Sequence, residues 1–248
     1  MSDADLVVVW RVYEPCNLGC RFCGYSRQLV RSRRIAEPDA ILAFAEVLAG
    51  YQERFGRSVL VSWLGGEPLL WPELPKVSRV LRRLGLRLGV STNGLPLASA
   101  VVRESLRADY DQVTVSIDGL AAFHDHVRES LGLFERIREN LRCLRDEMGP
   151  AAATLLRVNT ILMRGNVASF ASFCDEMAGW GFRELTFNQL GGDERPEFYP
   201  ANRLLPEQVE TFAEELPAIR QRMARRGLLI RGSTRYLQRI AATARGER

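Results

Sequence analysis

Lysine is almost missing from this chain: of 34 basic residues, all but Lys76 are arginine. That bias fits a GC-rich coding sequence rather than a selected surface. Against 30 acidic residues it leaves a formal net charge of only +4. A concentrated basic stripe interleaved with aromatics is also missing, so nucleic acid is not an expected partner. No apolar run reaches the ~18 residues of a membrane span, so no membrane association is expected. The opening residues Met1-Ser2-Asp3-Ala4-Asp5 lack a charged-then-apolar export pattern, which predicts a cytoplasmic location. Histidine occurs only at His124 and His126, and cysteine only five times, with none after Cys174. An odd cysteine count in a cytoplasmic chain argues against a disulfide framework.

What is present is an ordinary globular composition, 46% hydrophobic over 248 residues. This suits one large α/β domain or two small ones. Leu6 to Tyr13 is a valine-rich run long enough for a buried strand. Ile41, Leu42, Phe44, Ala45 and Leu48 recur at helical spacing within Glu37 to Gln52. Strands are then expected at 58–64, 87–91, 112–117, 154–162 and 184–188. Helices are expected at 72–84, 98–107, 130–148, 167–179 and 206–226. Strict alternation of this kind predicts parallel strands with right-handed crossovers. About six units fall short of the eight of a closed barrel, so the expected fold is α/β, a partial (β/α)6 barrel or a doubly wound sheet. Either architecture puts function at the carboxyl ends of the strands. Residues 189–205 form a polar connection too long for an ordinary loop and read as an insert. The expected organisation is a core over 1–227 and a short basic tail over 228–248, which is a docking helix or a frayed end.

Three of the five cysteines, Cys16, Cys20 and Cys23, lie within eight residues in the spacing C-x3-C-x2-C. Thiolates select iron–sulfur clusters or zinc over hard cations. A structural zinc site wants four ligands, commonly as two separated pairs, and no fourth ligand is near in the sequence. Three thiolates suit a cluster with one iron left open to a substrate.

With Phe22 just before its last cysteine, this motif resembles the signature of the radical S-adenosylmethionine (radical SAM) enzymes. Gly65-Gly66-Glu67-Pro68, after the second predicted strand, resembles that family's second element. The likeness runs from about Val7 to Gly192. It implies a [4Fe–4S] cluster held by Cys16, Cys20 and Cys23, with S-adenosylmethionine chelating the open iron. It further implies reductive cleavage to a 5′-deoxyadenosyl radical that abstracts hydrogen from a substrate. The protein would supply orientation and exclusion of quenchers. The backbone of the Gly65–Glu67 element would hold the methionine amine. Ser116, in Ser116-Ile117-Asp118-Gly119, and Arg128, in His124-Asp125-His126-Val127-Arg128, resemble cosubstrate-binding positions of the peptide-modifying branch. Arg128 would meet the methionine carboxylate through its planar fork.

Other positions are readable two ways. Ser91 and Asn93 either reach the cosubstrate ribose, or Asn93-Gly94 is simply a turn. Asn159 either faces the barrel lumen or satisfies a buried backbone group. Arg27, Arg31, Arg33 and Arg34 either greet an acidic electron donor such as flavodoxin or ferredoxin, or form a solvated basic face. His124 and His126 read as polar loop residues, and Cys143 and Cys174 as buried small hydrophobes. The motifs resemble enzymes with a cysteine-rich C-terminal extension, often called SPASM, that commonly modify peptides. The absence of cysteine after Cys174 makes auxiliary clusters unexpected. The substrate is therefore expected to be a peptide. The alternatives are a small molecule (a sugar, aminocyclitol or cofactor precursor) or a non-catalytic electron relay.

Overall fold

The structure, a computed structural model, describes residues 6–149, 156–192 and 195–247. Seven strands form one sheet in chain order, β1 to β7, with β1 and β7 as its unjoined ends. They are β1 (Leu6–Tyr13), β2 (Val59–Gly65), β3 (Arg87–Thr92), β4 (Gln112–Ser116), β5 (Leu156–Leu162), β6 (Glu184–Gln189) and β7 (Leu229–Ile230). The pairings β1–β2, β2–β3, β5–β6 and β6–β7 are all parallel, as strict alternation requires.

The helices between them are α1 (Pro38–Phe55), α2 (Leu74–Arg83), α3 (Ala100–Asp109), α4 (Ala121–Val127) and α5 (Leu133–Met148). They continue as α6 (Phe170–Gly179), α7 (Tyr199–Asn202), α8 (Pro206–Arg225) and α9 (Thr234–Arg245). The chain forms two compact units: Tyr25–Thr114 with the segment up to Asn17, and Leu18–Gly24 with Val115 onward. The cysteine loop is shared between them, Cys16 in the first unit and Cys20 and Cys23 in the second.

In the first unit, helix and strand follow from residue choice. Proline at the first position of α1 gives up only an orphan N–H, and Gly56 closes the helix with a left-handed φ of 61°. Its buried stripe is Ile41, Ala45 and Leu48. Val59, Val61 and Trp63 alternate onto the buried face of β2. The indole of Trp63 donates to Ser78 Oγ (3.2 Å), which lies 2.8 Å from the Tyr110 hydroxyl, so the buried polar tips are satisfied together. In the second unit Phe170, Phe187 and Phe212 pack edge to face, with centroids 5.0–5.8 Å apart.

Several expectations are corrected. A seventh strand, β7, lies in what the sequence presents as a tail; two residues are too short to give a period. The rest of that tail is α9, capped by Ser233 Oγ accepting from Tyr236 N–H, with Ile240 and Ala244 buried. His124 and His126 sit on α4, not in a loop, and His124 is fully buried. Cys143 is only half-buried, its thiol 3.8 Å from Glu139 Oε1, because it stands one step off the Leu141–Leu144 stripe. Cys174 is buried as expected, and burial pushes its thiol up to about 12. The start of the strand expected at 154–162 lies outside the described residues up to 155. No helix among the described residues is long and apolar enough to cross a membrane.

Candidate functional site

In the first unit the glycines after β2 meet the chain entering the cysteine loop at backbone distance. Gly66 N–H donates to Tyr13 C=O (2.7 Å) and Glu67 N–H to Pro15 C=O (3.0 Å). A Cβ on Gly66 would lie 2.3 Å from the carbonyl oxygens of Glu14 and Pro15, and one on Gly65 2.2 Å from that of Tyr13. Gly65 also adopts φ 145°, which L side chains rarely adopt. Both glycines are therefore fixed by sterics.

Glu67 is fully buried; its carboxylate accepts from Leu69 N–H (3.2 Å) and Asn93 N–H (2.7 Å). It ties the Gly-Gly-Glu-Pro loop to the end of β3. Asn93 in turn donates through Nδ2 to Asn17 Oδ1 (2.7 Å), with Cys16 Sγ 4.0 Å away. Asn93 Oδ1 accepts from Leu95 N–H (3.0 Å), and Gly94 is left-handed at φ 83°. Asn93-Gly94 thus makes a turn, and Asn93 also braces the first cysteine. Ser91 is half-buried at the end of β3.

In the second unit the centre is a residue the sequence reading passed over. Asp118, fully buried, accepts at Oδ2 from Arg128 Nε (2.8 Å) and Nη2 (2.8 Å), and at Oδ1 from Ile161 N–H (3.0 Å). Its own N–H donates to His124 Nδ1 (3.1 Å), and its C=O accepts from Asn166 Nδ2. Asn166 also bonds Ile161 C=O and Met163 N–H, so the ends of β4 and β5 are stitched through one aspartate. Burial and the neighbouring Arg128 cation hold His124 well below the ordinary histidine pKa, so it is neutral. Nδ1 accepts, so the proton is on Nε2.

Arg128 is 6% exposed. Burial works against its charge, but Asp118 and the thiols of Cys20 and Cys23 outweigh burial and raise its pKa. Its guanidinium lies 5.8 Å from the Phe22 ring centroid. Glu129, the next residue, has φ 49°, a conformation uncommon outside glycine. Phe22 packs against Val127, Met163 and Leu190, and its ring stands 6.5 Å from Phe198, in the connection between β6 and α8. Arg21 N–H donates to Val127 C=O (3.0 Å), and its side chain meets His126 and Glu129. The turn carrying Cys20 and Cys23 is therefore held on α4, with Cys23 N–H donating to Cys20 C=O (3.3 Å). Ser116, half-buried, ends β4 two residues before Asp118.

No three His, Cys, Asp or Glu among the described residues are gathered tightly enough for a single metal ion. A cubane asks for something else, since each thiolate takes a different iron. The donor set fits that group. Three thiols lie on one short loop, and the buried Arg128 cation interacts electrostatically with Cys20 and Cys23.

Of the four arginines after the loop, Arg27, Arg31 and Arg34 are exposed and Arg33 is half-buried. Arg31 and Arg34 pair with Glu14, and Arg33 donates to Ser26 and Leu29 carbonyls. Asn159 is half-buried on β5, where Thr186 and Asn188 donate to its Oδ1. A cavity of about 300 Å³ lined by Leu69, Leu74, Val102 and Tyr110 lies on the helix layer and contains none of these residues.

The Radical SAM superfamily profile matches residues 10–169. An AdoMet-dependent heme synthase of Methanosarcina barkeri is 28% identical over 82% of this chain and 56% of its own length. The PqqA peptide cyclase of Methylorubrum populi is 29% identical over 74% of this chain and 47% of its own. Streptococcus suis SuiB, solved bound to its precursor peptide SuiA, superposes with a TM-score of 0.69 at 17% identity. That superposition covers 97% of this chain and 50% of SuiB, and it shows the expected α/β fold. The chain spans about half the length of these proteins.

Proposed function

The chain belongs to the radical SAM superfamily, whose members use a [4Fe–4S] cluster and S-adenosylmethionine, and from that membership we propose a peptide-modifying enzyme. Cys16, Cys20 and Cys23 would hold three irons of the cluster, which when bound would supply the electron for reductive cleavage of S-adenosylmethionine and so the means of taking hydrogen from a substrate.

The chain's own residues supply position, charge and dryness. Gly65 and Gly66 bring loop backbone to where a methionine amine is held, and Glu67 and Asn93 brace that loop against Cys16. Ser91 and Ser116 contribute hydroxyls from the strand ends. Arg128 keeps its charge in a buried setting, and Nη1 is left to meet a carboxylate while Asp118 occupies Nε and Nη2. Phe22 and Phe198 exclude water from the turn carrying the last two cysteines. Residues 1–227 act as the core, with 189–205 as its insert and 228–248 as a closing segment. Arg27 and its neighbours take part in docking flavodoxin or ferredoxin.

The observation that carries the radical reading is the buried Asp118–Arg128 pair set against Cys20 and Cys23. The likeness to a peptide cyclase over 74% of the chain supports a peptide substrate. The likeness to a heme synthase over 82% favours, as the second reading, a small-molecule cofactor precursor.

The test is anaerobic reconstitution, dithionite reduction and assay for 5′-deoxyadenosine. Cys20→Ala abolishes the product; retained turnover refutes the site. A pure electron relay gives none even with the wild-type chain. Product formation stimulated by a precursor peptide, against stimulation by a tetrapyrrole precursor, separates the two substrate readings.

A further inference from the structure

Along β5 and β6, Val158, Leu162, Leu185 and Phe187 alternate onto the buried, helix-covered face. The opposite face carries polar side chains in register, with Asn159 beside Thr186 and Ile161 beside Asn188. Asn159 and Thr186 are half-buried there, and Asn188 is exposed.

These side chains are wired in one direction. Thr186 Oγ1 and Asn188 Nδ2 both donate to Asn159 Oδ1, each at 2.9 Å. The Tyr236 hydroxyl, from α9, donates to Asn188 Oδ1 at 3.1 Å. Tyr236 is itself seated on Phe187, with centroids 5.9 Å apart. Two donors on Oδ1 fix the Asn159 carboxamide and turn its Nδ2 group away from both. The Tyr236 oxygen gives its proton to Asn188 and is approached by the Gln189 backbone N–H, which leaves it one lone pair to accept with. This half-buried face thus presents a fixed N–H donor and a fixed oxygen acceptor, with the exposed Asn188 between them. A main-chain amide offers the complement, a carbonyl oxygen and an N–H. A hydroxyl-rich or purely anionic ligand does not need that donor–acceptor alternation.

We propose that Asn159 and Tyr236 clamp a peptide group of the substrate, Asn159 Nδ2 donating to its carbonyl and the Tyr236 oxygen accepting from its N–H. The proposal rests on the peptide reading above and adds where on this chain such a substrate is read. It also gives the 228–248 segment a direct part in substrate binding. Arg157 of β5 and Arg231, just after β7, both pair with Glu184 of β6 at the other end of these strands.

The test uses the full chain labelled with nitrogen-15 and a blocked peptide, acetyl-trialanine N-methylamide, with glucose as the comparison ligand. The expected result is a saturable shift of the Asn159 and Asn188 carboxamide signals with the peptide and none with glucose. Asn159→Asp keeps the acceptor for Thr186 and Asn188 but removes the outward N–H groups, and weakens peptide binding about tenfold. Tyr236→Phe, which keeps the ring on Phe187, weakens it to a similar degree. Thermal melts of both variants check the fold. If the peptide binds while both carboxamides stay still, or the two variants bind as wild type, the clamp is overturned and the peptide reading stands. If glucose moves the carboxamides and the peptide binds nowhere, both are overturned. If neither ligand moves them at any soluble concentration, the clamp is overturned.

Discussion

Removing the Asp118 carboxylate is the sharpest perturbation of this structure. Asp118→Ala leaves the Arg128 guanidinium, 6% exposed, without the oxygen that accepts two of its N–H groups at 2.8 Å. It also strips Ile161 N–H of its acceptor. Breaking a buried pair from one side costs about 3–5 kcal/mol, because the remaining charge stays desolvated. For a chain of this length that is a drop in Tm of roughly 6–20 °C. Arg128→Met alone should cost a similar amount, since it strands a fully buried carboxylate. The double variant Asp118→Asn with Arg128→Met removes both charges and keeps the volumes. Exchanging a buried ion pair for uncharged groups of similar size is often close to neutral. The double variant should therefore be more stable than Asp118→Ala or Arg128→Met, by about 2 kcal/mol or more, a coupling typical of residues in direct contact. Urea titration followed by far-UV circular dichroism reads this directly. Additive losses, with the double variant the least stable of all, would refute the reasoning, since charge compensation would then not be what holds the pair.

Gly66→Ala should fail to load the cluster, since its Cβ meets two backbone carbonyls at 2.3 Å; iron per chain and visible absorbance after reconstitution check this. His124, neutral when folded, lends a pH dependence. The unfolded imidazole binds a proton near ~6.5 while the folded one stays neutral. Stability is thus full above that pH and falls below it, by up to ~1.4 kcal/mol per pH unit, until the folded pKa is reached. His124→Gln should flatten that part of the curve, and an unchanged slope in the variant counts against the assignment. Cys174, with its thiol pushed up to about 12, should resist iodoacetamide in the native chain and label only on unfolding. Half-buried Cys143 should label first of the two, as peptide mass mapping would report.

The strand–helix alternation and the cysteine motif were legible because both are local patterns: a period of two or 3.6, and thiols within one loop. Gly65 and Gly66 were legible as punctuation, though not as a close contact with residues 13–15, which only the parallel pairing of β1 and β2 creates. Asp118 was hidden for a similar reason. An Asp-Gly pair after a strand reads as a turn, and its partners Ile161 and Asn166 come from 43 and 48 residues away. The Asn159–Asn188–Tyr236 chain was beyond reach because it depends on register across two strands and on a final helix whose short apolar stripe fits a docked or a frayed end equally well.

Phe198 against Phe22 carries one more consequence. The segment that holds Phe198 lies outside the strands, where length varies more easily, yet it leans on the residue between Cys20 and Cys23 that precedes the latter. Lengthening or redirecting that segment to admit a different substrate would alter how well the metal centre is shielded from oxygen. Under the proposed function, substrate range and shielding of the cluster would share that one aromatic contact.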